Sequence, residues 1–169
     1  MGILGAYAIV GIMNTEYKNA YNFLLGHKFA VLSTTSKNAK PWGSTIYYVV
    51  DEKLNFFFLT HVESTKYHNL KEQPQAAITV PDDIEQSTVQ AVGAVTEVPL
   101  GPERDHAFRM IVQVHPPGQF EWIPPVTKMD AGEVLLLKLT PEVLRFSDFS
   151  PKDGARITEV ISVAAHAGQ

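Results

Sequence analysis

A succession of short segments with the residue pattern of β-strands is the feature that most constrains this fold. β-branched and aromatic residues are concentrated, often in alternation with polar ones, in seven segments: 28–35, 43–51, 54–60, 75–80, 87–98, 133–140 and 142–149. A short polar turn joins the second and third segments into a predicted hairpin, whereas Thr140-Pro141 separates the last two. Many short strands with few helices predict a mainly β fold, an antiparallel β-barrel with flanking helices.

Three segments have the signals of α-helices. The first spans 14–26, where a capping residue begins an apolar face of helical spacing and Gly26 ends it. The second spans 64–73, begins with Ser64 as its N-cap and stops before a proline. The third spans 101–112 and has a proline near its first turn, where a missing amide hydrogen costs nothing.

Length and composition indicate one globular domain, because 169 residues with 45% hydrophobic residues can bury a sizeable core. Three parts are predicted: an apolar N-terminal extension over 1–13, a barrel domain over 14–150 and a C-terminal tail over 151–169. The extension lacks a basic region and is too short to span a bilayer. We therefore interpret it as a packed or disordered segment rather than a targeting signal.

The charge and the cysteine content exclude several classes of function. A formal net charge of -4 without a basic run argues against binding to nucleic acid or to a membrane. The chain has no cysteine, which excludes disulfides, thiolate metal sites and cysteine nucleophiles. This composition suits a reducing compartment, and we predict a cytoplasmic location.

Histidines and acidic residues give no metal site or catalytic dyad in this sequence. His61-x-Glu63 has the spacing of a zinc deaminase motif, but the Pro-Cys-x-x-Cys that completes the motif is absent. His61 and His68 by themselves do not define a metal site. No metal site is predicted, and the catalytic residues are unknown at this stage.

Hydroxyl groups and a cation meet where the third strand segment runs into the second helix. Thr60, Ser64 and Thr65 lie there together with Lys66, which falls in the first helical turn. A cation at this end of a helix is unfavourable by about 0.3–1 kcal/mol, unless an anion binds beside it. Free amides, hydroxyls and one lysine form a plausible phosphate cradle. A plain serine cap beside a solvated lysine explains the same residues.

The order of residues at this junction resembles that of the split barrels related to pyridoxamine 5'-phosphate oxidase, which bind flavin mononucleotide (FMN). In that family a strand ending in Phe-x-Thr is followed by Ser-x-Lys, Asn-Leu and a proline; the matching positions here are Thr60, Ser64, Lys66, Asn69, Leu70 and Pro74. The resemblance covers most of the chain, from the helix at 14–26 to the ending at 135–149. It implies an antiparallel split barrel of the FMN-binding type.

The resemblance also implies which residues bind the cofactor. The family holds the FMN phosphate with the threonine, the serine and the residues after it, and lays the ring along an earlier strand. That strand matches 43–48 here. A later strand of the family places a polar side chain at the flavin, and Thr88, ahead of Gly93, is the matching position here. Gln90 shares a strand face with that position. The implied cofactor-binding residues are Ser44, Thr45, Ile46, Leu59, Thr60, Ser64, Thr65, Lys66, Thr88 and Gln90.

Three departures separate this chain from the true oxidases. Thr65 and Gly43 stand where those enzymes have phosphate-binding arginines, so the phosphate site carries less charge. The Arg- and His-bearing C-terminal segment that grips the substrate phosphate is also missing. Oxidation of vitamin B6 is therefore not predicted, and the resemblance is to short flavin-binding members of the family.

The resulting hypothesis is an FMN-dependent oxidoreductase that passes hydride or electrons between small-molecule donors and acceptors. The alternatives are a non-enzymatic binder of flavin, haem or the deazaflavin F420, with a storage, sensing or stress role, and a ligand-free interaction module. A homodimer with the cofactor at its interface is expected. The aromatic strand at Phe56–Phe58 needs cover on both faces, which a second protomer could supply. A loop around Trp122 is a further candidate, as a lid beside the flavin or as a hydrophobic plug.

Overall fold

A computed structural model describes residues 4–113, 133–150 and 154–162 of the chain. The described part contains three helices and seven strands: α1 Leu4–Gly26, β1 Phe29–Thr35, β2 Pro41–Val50, β3 Phe56–His61, α2 Thr65–Glu72, β4 Gln75–Asp82, β5 Ser87–Glu97, α3 Pro102–Gln113, β6 Val134–Asp148 and β7 Arg156–Ser162. The loop around Trp122 lies outside the described residues.

The strands form an antiparallel barrel, as the sequence predicts. They are ordered β3-β2-β1-β4-β5-β6-β7 in one sheet. A further pairing of β3 with β6 closes the first six of these strands into a barrel, and β7 extends the sheet beyond β6. Closure pairs β3 with β6 along a side of β3 that would be a free edge in an open sheet. The predicted hairpin is β2–β3, which turns at residues 51–54.

The predicted break between the last two strand segments is wrong, because β6 runs without interruption through Pro141. Proline lacks an amide hydrogen, so it is tolerated in a sheet at a bulge. Here the register between β5 and β6 shifts between Val92 and Gly93, beside Pro141. A Cβ atom on Gly93 would collide with the Thr140 carbonyl, so glycine permits the close approach of the two backbones. The bulge therefore lets the single strand β6 pair with both β3 and β5.

Two other elements differ from the prediction. Helix α1 begins at Leu4 rather than at residue 14 or 15, so the apolar extension is part of a longer helix. Strand β7 lies in the segment that the sequence assigns to a tail, and it pairs with β6 over residues 156–162. Helices α2 and α3 occupy the predicted places, with Ser64 as the N-cap of α2.

The aromatic strand β3 is covered within the chain. Phe56 and Phe58 point into the barrel, where both are fully buried. Phe57 points outward and is buried in a second cluster with α3, to which Val49 and Ile111 contribute. The cover that the sequence assigns to a second protomer therefore comes from α3 at this strand.

An apolar surface remains on the other side of the barrel. The outward residues of β1, β2, β4 and β5 form what we call the open face; they include Phe29, Val31, Thr45, Thr79, Thr88, Gln90 and Val92. No charged side chain belongs to this face between β2 and β5 in the described residues. Phe29 is 54% exposed, Val31 40% and Val92 47%, so the face presents large apolar groups to solvent.

Within the described ranges, no helix combines the length and the apolar character needed to cross a lipid bilayer.

Candidate functional site

Strands β2 and β3 separate at one end of their hairpin. They pair only from Tyr48 opposite Phe58 to Val50 opposite Phe56. Beyond that point residues 41–47 pair only with β1, and residues 59–61 pair only with β6. We call this opening the split. Because antiparallel strands direct their amides and carbonyls alternately to the two sides, each edge of the split carries backbone groups that have no strand partner there.

Five of the sequence-predicted site residues lie on the two edges of the split. Ser44, Thr45 and Ile46 lie on the β2 edge, whereas Leu59 and Thr60 lie on the β3 edge. The side chain of Ile46 is buried in the barrel core, and that of Leu59 packs against the cluster under α3. These two residues are therefore available to a ligand chiefly through their backbone groups.

Helix α2 begins directly beside the split and is capped by Ser64. The Ser64 Oγ accepts a hydrogen bond from the Tyr67 amide at 3.3 Å and lies 2.9 Å from the Oγ1 of Thr60. Thr60 is 1% exposed, so its hydroxyl is buried behind that of Ser64. Strand β3 and helix α2 thus bring together the two hydroxyls that the sequence placed four residues apart.

The first turn of α2 also carries donors and a positive charge. Thr65 is exposed, and Lys66 is partly buried. The structure gives no hydrogen-bond acceptor for the amides of Thr65 and Lys66 in the described part of the chain. Burial lowers the pKa of the Lys66 ammonium below its usual range, because desolvation penalises the charged form. No described carboxylate lies within 4.0 Å of this ammonium.

A buried amide fixes α2 against the barrel. Asn69 Nδ2 donates a hydrogen bond of 3.1 Å to the Oγ1 of Thr34 on β1, and both residues are almost fully buried. Thr34 pairs with Trp42 of β2, two residues before Ser44 on the β2 edge of the split. In the sequence, Asn69 is recognisable only as part of a motif. Asn69 lies next to Leu70 on the buried side of α2, and this position is the signal that could have indicated its anchoring role.

The remaining predicted residues lie on the open face. Val31 pairs with both Thr45 and Thr79, and Thr79 pairs with Gln90, so Thr45 and Gln90 belong to one row across four strands. Three strand spacings separate them, or about 14 Å. Thr88 lies two residues from Gln90, and its Oγ1 donates to the Val80 carbonyl at 3.1 Å. No hydrogen bond between described residues joins Thr88 or Gln90 to the residues around Ser64.

No group of three or more potential metal ligands comes together in the part of the chain that the structure describes. His61 lies at the end of β3, where its Nδ1 accepts a hydrogen bond from the Glu63 amide at 3.1 Å. The arrangement beside the split is therefore a set of donors: two amides, one serine hydroxyl and one ammonium. Donors of this kind at a helix N-terminus match the needs of an anion.

Comparison with known proteins connects this geometry to a family. The family model described as pyridoxamine 5'-phosphate oxidase matches residues 18–148. The chain also resembles a solved pyridoxamine 5'-phosphate oxidase-related, FMN binding protein from Nostoc punctiforme. The TM-score is 0.56 at 15% identity, over 89% of this chain and 86% of the other.

Two further solved structures share the fold at low identity. A heme binding protein from Mycobacterium smegmatis has a TM-score of 0.64 at 16% identity, over 85% of this chain and 57% of the other. A heme storage protein from Vibrio cholerae has a TM-score of 0.54 at 16% identity, over 74% of this chain and 89% of the other. None of the curated proteins matches the sequence.

Proposed function

Since the chain belongs to the pyridoxamine 5'-phosphate oxidase family, we propose that it binds FMN at the split and acts as an oxidoreductase. The observation that carries this proposal is the partly buried Lys66, whose charge no described carboxylate neutralises, beside amides that have no described acceptor. A helix N-terminus and a cation on it repel one another, so both favour an anion at the same place.

The phosphate end is the first part of the proposed site. Ser64, the Thr65 and Lys66 amides and the Lys66 ammonium would hold the phosphate through charge-assisted hydrogen bonds. Asn69 keeps α2 in place against β1 through its bond to Thr34, so these donors stay next to the split. The residues present fit a phosphate, although they carry less positive charge than an arginine-containing clamp would.

The ring end is the second part. The backbone edges at Ser44–Ile46 and Leu59–Thr60 have no second partner strand in the described part of the chain, and they offer donors and acceptors for the polar edge of a flat ring. When bound, a flavin supplies the hydride or electron chemistry, and the protein supplies orientation, hydrogen bonds and exclusion of water. This division of roles requires no protein acid or base, consistent with a sequence in which we found no convincing catalytic dyad.

A homodimer with the cofactor at its interface is the third part. The open face combines large exposed apolar side chains with an absence of charge among its described residues, which is typical of the core of an interface. A twofold axis would place the same face of two protomers together. Thr88 and Gln90 would then be buried in the interface, where a ring held in the split could be within their reach. We place this dimer in the cytoplasm, since a chain without cysteine suits a reducing compartment.

Haem is a second candidate, because two solved structures with this fold are of heme-binding and heme storage proteins. Among the described residues, His61 lies at the end of β3, beside the split. Its Nδ1 accepts the Glu63 amide hydrogen, which leaves the proton of a neutral imidazole on Nε2. Coordination of iron through Nε2 would require loss of this hydrogen bond, and we therefore propose FMN as the first candidate and haem as the second. A deazaflavin would occupy the same kind of site as FMN.

The absorption spectrum of the purified protein is the first test. A flavin spectrum, or quenching of FMN fluorescence on titration, supports the proposal; a Soret band would replace FMN with haem. Protein that neither carries nor binds FMN would refute it. Rapid mixing of the FMN-loaded protein with a reduced nicotinamide cofactor then separates an enzyme from a binder, because only an enzyme is expected to bleach the flavin within a catalytic timescale.

A further inference from the structure

The hydroxyl of Thr60 is buried and has one polar neighbour. It is 1% exposed, and its only hydrogen-bond partner among the described residues is the Ser64 Oγ at 2.9 Å. A hydroxyl carries one hydrogen and two lone pairs. If Ser64 donated to Thr60, the Thr60 hydrogen would be buried without an acceptor, and a buried donor without an acceptor is destabilising. Donation from Thr60 to Ser64 avoids this cost.

The direction of this bond determines what Ser64 can do. Its Oγ already accepts the Tyr67 amide hydrogen at 3.3 Å. With the Thr60 hydrogen as the second, both lone pairs of the Ser64 oxygen are occupied. The single hydrogen of Ser64 then has no described acceptor and points away from both donors. Ser64 is partly exposed, so that hydrogen is available to a ligand.

We infer that Thr60 is a positioning residue, which acts on a bound phosphate through Ser64 and not by contact. Its buried hydroxyl fills the second lone pair of Ser64 and so turns the Ser64 hydroxyl into an outward-facing donor. This inference rests on the proposed function, because it assigns Thr60 a role in binding the FMN phosphate. It differs from the expectation that Thr60 contacts the cofactor itself, since a side chain with 1% exposure presents almost no surface to a ligand.

A double-mutant cycle in the full-length protein tests the inference. Thr60→Val removes the hydroxyl and keeps the shape, Thr60→Ser keeps the hydroxyl, and Ser64→Ala removes the group through which Thr60 acts. Thr60→Val should weaken FMN binding roughly threefold to tenfold, the range for one hydrogen bond. In the Ser64→Ala background the same change should alter FMN affinity less than about twofold, because the effects of coupled residues are not additive.

Two controls separate positioning from a general effect on folding. Thr60→Ser should bind FMN within about twofold of the unmodified protein, and riboflavin, which has no phosphate, should bind equally to all variants. Circular dichroism melting identifies any variant that fails to fold. An equal loss of FMN affinity from Thr60→Val in both backgrounds would show direct contact and overturn the inference, as would no loss in either.

Neutron diffraction from deuterium-exchanged crystals provides a test that needs neither a variant nor a ligand. The inference expects the deuterium between the two oxygens to be bonded to Thr60 Oγ1. A deuterium bonded to Ser64 Oγ on that line would refute it. If the unmodified protein binds no FMN, the proposed function fails by itself, and the neutron map still decides the direction of the Thr60–Ser64 bond.

Discussion

Replacement of Lys66 by methionine should move stability and FMN affinity in opposite directions. Lys66 is partly buried in the first turn of α2, where burial already lowers the pKa of its ammonium. Methionine keeps the apolar stem and removes the charge. Loss of the unfavourable interaction with the helix dipole should raise the free energy of unfolding of the ligand-free protein by about 0.3–1 kcal/mol.

The same substitution should weaken FMN binding. A hydrogen bond to a charged group contributes about 1.5–3 kcal/mol, which corresponds to an increase of the Kd by roughly tenfold to 150-fold. Quenching of flavin fluorescence gives the Kd, and urea denaturation gives the stability. Riboflavin affinity should not change, since riboflavin lacks the phosphate that Lys66 would contact.

Lys71 provides a matched control on the same helix. It lies in the last turn of α2, is exposed, and its Nζ is 3.8 Å from a Glu97 carboxylate oxygen. A cation at this end is favourable, so Lys71→Met should lower stability slightly and leave FMN affinity unchanged. The reasoning would be refuted if Lys66→Met left the Kd for FMN unchanged, or if both substitutions weakened FMN binding equally.

The pH dependence of the unmodified protein should agree with this assignment. The folded-state pKa of Lys66 is lower than its ordinary value of 10.5, so the unfolded chain binds more protons between the two values. The contribution of Lys66 to stability should therefore rise with pH through that window, and Lys66→Met should remove this contribution. The advantage of FMN over riboflavin should decline over the same window, as Lys66 loses the charge that holds the phosphate.

Three further predictions address the phosphate site, the dimer and the bulge. Thr65→Arg should tighten FMN binding but not riboflavin binding, with a smaller gain at high salt, because it adds a bidentate donor; equal gains for both ligands would contradict the placement. Light scattering should report twice the monomer mass. Val31→Glu on the open face should then give monomers, whereas Ile84→Glu, at a site 88% exposed in the β4–β5 turn, should not. Gly93→Ala should lower the free energy of unfolding by about 1–3 kcal/mol in urea denaturation, since its methyl would overlap the backbone of β6. Gly43→Ala should stay near the unmodified stability, because the nearest atom would lie 3.8 Å away.

Local sequence signals determined much of this fold. Strands β1 to β5 follow the alternation and the turns, and α3 follows its apolar periodicity and its proline at the first position. The Ser64 cap of α2 could also be predicted from the sequence, because a capping hydroxyl accepts a hydrogen bond from an amide only three residues away. Seven strands were expected and seven are described, but they are not the same seven. The last two predicted segments form the single strand β6, and β7 lies in the predicted tail.

Non-local contacts account for the differences. Pro141 ends a strand by local rules, yet β6 continues through it because Gly93 of another strand lets the backbones approach. Strand β7 has a weak pattern of its own and is stabilised by pairing with β6.

The candidate site divides in the same way. The hydroxyls and the lysine were predictable from the sequence, since they lie within seven residues of one another at a strand-to-helix junction. The split was not predictable from the sequence. It depends on the residue at which the pairing of β2 changes from β1 to β3. The anchoring bond between Asn69 and Thr34 joins residues 35 positions apart. Sequence patterns report interactions within a few residues of one another, whereas the position of a helix relative to a distant strand is determined only when the barrel closes.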